Sequence, residues 1–339
     1  QIQASLNLAE GDLVRVAWFE LGLEQPDCLL IVIHHLIVDN VSWRILLDDF
    51  QTVYQQLRSH QAVQLPAKTT SFQDWAKRLQ AYASSEALRA ELDHWLATLQ
   101  PPTTSLPIDQ LTGVNTVAVA DRVTVTLSSS ETQSLLQELP QRYRTQIQEI
   151  LLTALFQAIA PWTETDTLLI DLEGHGREDL FEGVDLSRTV GWFTSQFPVR
   201  LSAPANGSLG EILKAVKEQL RAIPQRGIGY GVLRYLSHHA AALTTLPQTQ
   251  LSFNYLGQFD PGFSANAGFQ LAPESSGLLH SPEGHRSYLL EINGYVSGGQ
   301  LHLEWTYSTV QYQRSTIEQL AQSCIDVLRS LLTSSESST

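Results

Sequence analysis

Two adjacent histidines followed by a carboxylate form the first group of residues that can do chemistry. His34 and His35 end the apolar run "CLLIVIHH", and Asp39 follows shortly after. Imidazole suits proton transfer near neutral pH. Because consecutive side chains of a strand point to opposite faces, one histidine is expected to face a cleft and the other to hydrogen-bond inward and hold the turn. The alternative is a purely structural role for the pair.

A metal site at the histidine pair is disfavoured. Neighbouring histidines rarely converge on one ion, and no second cluster of histidine or cysteine lies near them in the sequence. We therefore expect the pair to move protons or to support the core rather than to bind a metal.

The stretch "DLEGHGRED" (171–179) is the second concentration of polar groups. Glu173 and His175 follow an apolar strand through glycines, which let the backbone turn tightly and leave space above it. Burial raises the pKa of a carboxyl group, so a carboxylate at the mouth of an apolar strand is a usable acid or base. A solvated loop is the alternative interpretation.

Composition bounds the class of protein. The chain has 339 residues, of which 43% are hydrophobic and 17% charged, enough for roughly two domains with substantial cores. The net charge is 21 − 35 = −14, which argues against a nucleic-acid partner. No apolar run reaches the ~18 residues of a membrane span, and no secretory signal is visible. We expect a cytoplasmic protein in which Cys28 and Cys324 are buried free thiols.

Hydrophobic periodicity predicts the elements that must position these groups. In the first half, strands are expected at 12–22 and 28–35, the second buried on both faces, and a helix beginning near Val41 behind the caps Asp39 and Asn40. Further helices are expected at 71–81 and 84–99.

The second half repeats this mixture of strands and helices. Its apolar patterns predict a strand and a serine-capped helix within 121–139, a helix at 145–162, a strand entering 166–178, helices at 208–222 and 230–239, a strand at 249–256, a hairpin turning at Gly298-Gly299 and a helix at 313–332. This pattern predicts a mixed α/β fold of two lobes: 1–99, a crossover linker at 100–115, 116–332, and a polar tail at 333–339.

Five stretches together resemble a known family. "HHLIVDNVSWR" resembles the HHxxxDGxS motif of the condensation superfamily of non-ribosomal peptide synthetases. "EGHGRE" (173–178), "RTVGWFTSQFPVRL" (188–201), "PQRGIGYG" (224–231) and "FNYLGQFD" (253–260) resemble motifs of its epimerization branch, and the resemblance covers essentially the whole chain. It implies two chloramphenicol-acetyltransferase-like lobes that form a V-shaped pseudo-dimer with a central tunnel.

The resemblance also implies a reaction and its partners. The reaction is inversion, L to D, at the Cα of an aminoacyl or peptidyl thioester on the phosphopantetheine arm of an upstream peptidyl carrier domain. An adenylation domain of the same synthetase and a downstream condensation domain are the other implied partners, and the chain itself is expected to bind no cofactor.

The first lobe is expected to be truncated. The chain has no methionine and begins within an amphipathic pattern. The resemblance implies a further segment of about a hundred residues with a "PIQxWF"-like motif at the start of the first lobe, and we expect this chain to lack it. We expect the fragment to expose apolar surface and to be poorly soluble or weakly active alone.

Each motif position carries an implied role. By resemblance, His35 and Glu173 are the catalytic groups that face each other across the tunnel, and Asp39 supports His35. Three further positions have implied or inferred roles: Asn254 and Tyr255 as a polar pair near the substrate and Arg188 as a charge partner. Two alternatives stay open: acyl transfer by the same histidine, as in condensation domains, and a degraded carrier-docking module, because Asn40 replaces the motif glycine.

Overall fold

The computed structural model describes residues 1–22, 24–100, 105–204, 206–258, 269–270 and 272–334. Three predicted regions therefore lie partly outside the described residues: the crossover linker at 101–104, the last two residues of "FNYLGQFD", and the polar tail from 335. The contacts divide the chain into two compact units. The first comprises Gln1–Leu79, His175–Thr194 and Pro261–Ser281, and the second comprises Gln80–Gly174, Ser195–Asp260 and Pro282–Thr339.

The first unit contains a two-stranded antiparallel sheet of β1 (Val14–Phe19) and β2 (Cys28–Ile33), followed by helix α1 (Asn40–Arg58) and most of α2 (Phe72–Tyr82). The prediction that β2 is buried on both faces is wrong. All six of its residues are half-buried, because the strand has only β1 beside it within the described part of the sheet.

Segment 175–194 packs into the first unit although the strands on both sides of it belong to the second. Its Phe181 and Phe193 pack near the buried Trp75 of α2. Their ring centroids lie 5.3 and 6.3 Å, respectively, from the centroid of the Trp75 ring. This division differs from the predicted lobes, because sequence order does not reveal that the chain returns to an earlier unit.

The second unit is built on a six-stranded sheet in the order β3-β8-β7-β6-β4-β5. Strand β6 runs parallel to both β4 and β7, and the other neighbours are antiparallel. The strands are β3 (Ala120–Thr126), β4 (Thr167–Gly174), β5 (Ser195–Ser202), β6 (Leu251–Gln258), β7 (Leu290–Ser297) and β8 (Gln300–Ser308). Its helices are α3 (Glu86–Arg89), α4 (Leu92–Leu99), α5 (Ser129–Tyr143), α6 (Ile147–Thr163), α7 (Leu209–Arg221), α8 (Ile228–Tyr235), α9 (Ala240–Thr244) and α10 (Arg314–Thr333).

The two faces of this sheet differ in polarity. Strand β7 alternates strictly between buried and half-buried residues, which places Ile292 in the core and Asn293 on the other face. The apolar face includes Phe253 and Trp305 and packs with helices such as α6 and α10. The mixed α/β fold, the serine-capped helix α5 and the hairpin at Gly298-Gly299 agree with the predictions.

Two predicted helices end differently from the prediction. Residues 84–99 form α3 and α4, because ψ angles near −20° at Ala90 and Glu91 tighten the turn between them. The helix predicted at 230–239 ends at Tyr235, and His239 precedes α9 as its N-cap. The histidine pair 238–239 therefore does not cap a helix C-terminus.

Candidate functional site

The histidine turn belongs to the first unit. Strand β2 ends at Ile33, and His34 caps a single 3-10 turn formed by His35–Ile37. The Nδ1 of His34 accepts a hydrogen bond from the backbone N–H of Leu36 at 3.1 Å, so His34 holds the turn. The ring of His35 is exposed, with its centroid 5.2 Å from that of Trp192. The 3-10 turn, rather than strand alternation, separates the two rings.

Asp39 fixes the start of α1 from a buried position. It is 3% exposed, and its Oδ1 accepts from the N–H of Ser42 at 2.7 Å as the helix N-cap. Its Oδ2 accepts from the N–H of Phe193 at 3.1 Å. A guanidinium nitrogen of Arg177 donates to both carboxylate oxygens, at 3.1 and 3.2 Å. Asp39 thus joins the histidine turn to segment 175–194 of the same unit.

Arg177 is the buried counter-charge of Asp39. Its side chain is 7% exposed, and it also donates to the carbonyl oxygens of Leu186 at 2.9 Å and Thr189 at 2.7 Å. Its guanidinium lies over the ring of Phe193, 3.9 Å from the centroid. Burial lowers the pKa of Arg177 while the charge of Asp39 acts to raise it. The arginine needs Asp39 to be tolerated in this core.

Sequence reasoning assigned a charge-partner role to Arg188, and the structure gives this residue two ion pairs. Arg188 pairs with Asp48, at 3.4 Å, and with Asp49, both on α1. The residue that sequence reasoning missed is Arg177, the arginine within "EGHGRE" itself. Its partner lies 138 residues earlier, so no spacing in the sequence could have indicated the pair.

Asn40 begins α1 with an exposed side chain and is not among the residues with left-handed backbone. In this chain the position of the motif glycine therefore does not require positive φ.

Glu173 and Asn254 meet on the polar face of the second unit's sheet. Strands β4 and β6 are parallel neighbours in a register that pairs Leu172 with Phe253, so the next residues along, Glu173 and Asn254, are adjacent. The Nδ2 of Asn254 donates to the Oε2 of Glu173 at 2.5 Å. Both residues are half-buried. The amide thereby fixes the orientation of a carboxylate near the end of β4.

Tyr255 does not join Asn254 on this face. A Cβ built at Gly294 would lie 3.4 Å from the Tyr255 ring and close to Leu303 and Leu151, which places the ring on the apolar, helix-covered side of the sheet. Burial raises the pKa of Tyr255. The two residues that the resemblance pairs therefore lie on opposite faces of β6, because adjacent residues of one strand point to opposite faces.

Tyr288 and Asp171 form a half-buried carboxyl–phenol pair, and Asp171 lies two residues before Glu173 on the same strand and face. The hydroxyl of Tyr288 donates to the Oδ2 of Asp171 at 2.6 Å. Burial raises the pKa of Asp171, against the lowering effect of hydrogen bonds from Thr249 and Tyr288. The pKa of Tyr288 is raised by burial first, and then by the charges of Asp171 and Glu173. No motif in the sequence marked Tyr288, which precedes β7.

The glycines of "PQRGIGYG" serve packing. Gly227 has φ of +87°, and a Cβ there would lie 2.1 Å from the ring of Phe197. A Cβ at Gly229 would lie 2.0 Å from the carboxylate of the buried Glu91.

The described residues form neither a metal-ligand cluster nor a membrane span. Within the described ranges, no group of three or more histidine, cysteine, aspartate or glutamate side chains is placed to hold a metal ion. None of the described helices is both long enough and apolar enough to cross a membrane. Both cysteines are free: Cys324 is buried as predicted, and Cys28 is half-buried.

Comparison with known proteins places this geometry in a family. The model of the condensation domain family matches residues 1–339, the whole chain. The chain belongs to the condensation-domain family.

Several relatives of this condensation-family chain are peptide synthases. It is 49% identical over 342 residues to one of the linear gramicidin synthase subunits of Brevibacillus parabrevis, covering 99% of this chain and 4% of that protein. It is 45% identical over 335 residues to a chondramide synthase of Chondromyces crocatus, covering 97% of this chain and 8% of that protein. The chain thus spans less than a tenth of either relative.

A solved structure gives a finer comparison. The epimerization domain from the third module of tyrocidine synthetase B is 41% identical, with a TM-score of 0.89 over 98% of this chain and 74% of that chain. The X-domain from teicoplanin biosynthesis shares the fold at 18% identity, with a TM-score of 0.70 over 95% of this chain and 72% of that chain. The mixed α/β fold is therefore that of condensation-family domains.

Proposed function

We propose that this chain is an epimerase that inverts the Cα of an aminoacyl or peptidyl thioester carried on the phosphopantetheine arm of a peptidyl carrier domain. The observation that carries the proposal is the carboxylate of Glu173, held at 2.5 Å by the amide of Asn254 within the stretch "EGHGRE". The similarity to a tyrocidine synthetase epimerization domain supports it.

The reaction removes the Cα proton and returns a proton to the opposite side of the same carbon. When the Cα–H bond breaks, its electron pair moves into the thioester carbonyl and gives an enolate. A proton delivered to Cα then regenerates the thioester with inverted configuration. In our proposal Glu173 and His35 share these two transfers, and proton exchange with water returns each group to its starting protonation state before the next turnover.

The roles of the neighbouring groups follow from their contacts. Asn254 orients the carboxylate of Glu173 through one amide hydrogen. His34 and Asp39 hold the turn that carries His35. General acid–base catalysis typically contributes ~10²–10⁴-fold to a rate, so loss of either proton-transfer group is expected to cost that much.

The partners in this proposal are an upstream peptidyl carrier domain, which presents the substrate, an adenylation domain that loads it, and a condensation domain that accepts the product. The length of the synthase relatives supports a multidomain setting. The location proposed for this assembly is the cytoplasm.

The test follows exchange of the Cα hydrogen. The whole polypeptide that contains residues 1–339, with its carrier domain loaded with L-aminoacyl or L-peptidyl groups, is placed in heavy water, and deuterium at Cα and the L/D ratio are measured. We expect exchange in the wild type and a fall of ~10²-fold or more in Glu173→Gln and in His35→Ala. Glu304→Gln serves as the control, because its carboxylate lies on the same face of the sheet and pairs with Arg122 at 3.1 Å.

Near-wild-type exchange in Glu173→Gln would overturn the assignment of that residue. A second candidate function is acyl transfer, which the match to the condensation family model favours. Peptide-bond formation between two loaded carriers, lost in His35→Ala and kept in Glu173→Gln, would establish that function instead. Carrier binding without exchange or transfer would identify a docking module.

A further inference from the structure

An indole lies beside the imidazole that the proposed reaction uses. The ring centroids of Trp192 and His35 are 5.2 Å apart and their planes are inclined by 55°, a favourable arrangement for two aromatic rings. Both residues belong to the first unit. Among the described residues, no group hydrogen-bonds to a ring nitrogen of His35, so the orientation of this imidazole depends on packing.

The backbone that precedes Trp192 is fixed by the start of α1. The hydroxyl of Ser42, a fully buried residue, donates to the carbonyl oxygen of Gly191 at 2.8 Å and accepts from the N–H of Gly191 at 3.0 Å. A Cβ at Gly191 would lie 2.4 Å from the ring of Phe72, so a side chain there would prevent this close approach.

The backbone that follows Trp192 is fixed by the same helix start. The N–H of Phe193 donates to the Oδ2 of Asp39 at 3.1 Å, and the buried ring of Phe193 lies 3.9 Å from the guanidinium of Arg177. Trp192 itself is 42% exposed between these two anchored neighbours. The aspartate and serine of the stretch "HHLIVDNVS" therefore hold Trp192 in place as well as the histidine turn.

An indole on an anchored backbone is suited to orient an imidazole. Proton transfer at a carbon atom requires that a ring nitrogen point at that atom, and small errors in position reduce the rate strongly. Such precision is obtained when the supporting residues are themselves locked by packing and hydrogen bonds. The carboxylate of Asp39 does not orient the ring directly, because its oxygens are bound by donors from Ser42, Phe193 and Arg177.

We propose that Trp192 is a positioning residue that sets the orientation of the His35 imidazole for proton transfer at Cα. This inference rests on the proposed function and adds a residue to it. Trp192 acts through His35 and does not contact the reacting atoms.

The experiment measures the rate of Cα exchange in heavy water, with the whole polypeptide and its loaded carrier domain. Trp192→Ala is expected to lower this rate about tenfold, because the imidazole loses its orienting contact. Trp192→Phe keeps an aromatic ring beside His35 and is expected to stay within about threefold of the wild type. Val190→Ala removes an exposed apolar side chain from the same segment and is the control, with an expected change below about twofold.

A double variant separates positioning of His35 from a structural role. If Trp192 acts through His35, Trp192→Ala added to His35→Ala lowers the remaining exchange rate by less than about twofold, because the group that it orients is already absent. Trp192→Leu replaces the alanine variant in both backgrounds if that variant unfolds, since it keeps apolar volume without an aromatic ring.

Three results would overturn the inference while leaving the epimerase proposal intact. They are an equal factor of loss with and without His35, no loss in the single variant, and a loss in Trp192→Phe as large as in Trp192→Ala. Absence of exchange in the wild type would overturn the proposed function and the inference together.

Discussion

The two regions that carry the motif residues use their polar groups differently. In the first unit, both carboxylate oxygens of Asp39 are bound by donors from Ser42, Phe193 and Arg177, all in the core. In the second unit, the carboxylate of Glu173 lies on the half-buried polar face of the sheet and accepts from the amide of Asn254. A saturated, buried network fixes a backbone, whereas a half-buried carboxylate on a polar face keeps room to contact a substrate. The comparison predicts stability effects in the first region and substrate effects in the second.

The largest expected effect tests the Asp39 network. Arg177→Met removes the counter-charge of a carboxylate that is 3% exposed, and breaking a buried pair typically costs about 3–5 kcal/mol. We expect the free energy of unfolding to fall by that amount, with faster amide hydrogen exchange in α1 than in β6 to β8. Chemical denaturation and hydrogen–deuterium exchange measure both.

Arg188→Met is the matched control for Arg177→Met. It removes an arginine that also pairs with aspartates of the first unit but is 26% exposed. The expected loss is below about 1 kcal/mol, since exposed pairs contribute little. The double variant Asp39→Asn/Arg177→Met is expected to recover part of the loss, because no unpaired charge is left buried. Equal losses of unfolding free energy in Arg177→Met and Arg188→Met would contradict the distinction between the buried pair and the more exposed one.

A smaller effect on stability is expected at Asp171, two residues before Glu173 on β4. Tyr288→Phe removes a 2.6 Å hydrogen bond to the half-buried Asp171, which should lower the free energy of unfolding by about 1.5–3 kcal/mol. The same sheet offers a comparison in Tyr307, whose hydroxyl donates at 3.0 Å to Asp121, a carboxylate that is 43% exposed. Tyr307→Phe is expected to cost less than about 1 kcal/mol, since water can replace the lost donor. Thermal and urea denaturation of both variants measure which substitution lowers the free energy of unfolding more.

The smallest effect concerns pH. Burial raises the pKa of Asp171 above its usual value of 3.8, so the folded state holds this proton more tightly than the unfolded state. The contribution of Asp171 to stability therefore falls as pH rises from the unfolded pKa through the folded one. Asp171→Asn should remove this part of the pH dependence, measured as unfolding free energy from pH 4 to pH 7. An unchanged slope would show that Asp171 titrates normally.

The sequence by itself was sufficient for the local elements and the family. Apolar periodicity located β1, β2, α1, α6 and α10, and the glycines at 298–299 located the hairpin, because these signals depend on neighbours within a few residues. The motif spacing also identified His34, Asp39 and Glu173 as residues with special environments. Helix capping by Asp39 was predictable for the same local reason.

Only the tertiary structure decided which polar groups meet. Arg177 reaches Asp39 across 138 residues, and Asn254 reaches Glu173 across 81, because strand order and chain return bring distant segments together. The separation of Tyr255 from Asn254 depends on which face of β6 is covered by helices, and the place of Trp192 beside His35 depends on the return of segment 175–194 to the first unit. Register and strand order are set by the packing of the whole unit, so residue types and spacing in the sequence do not contain them.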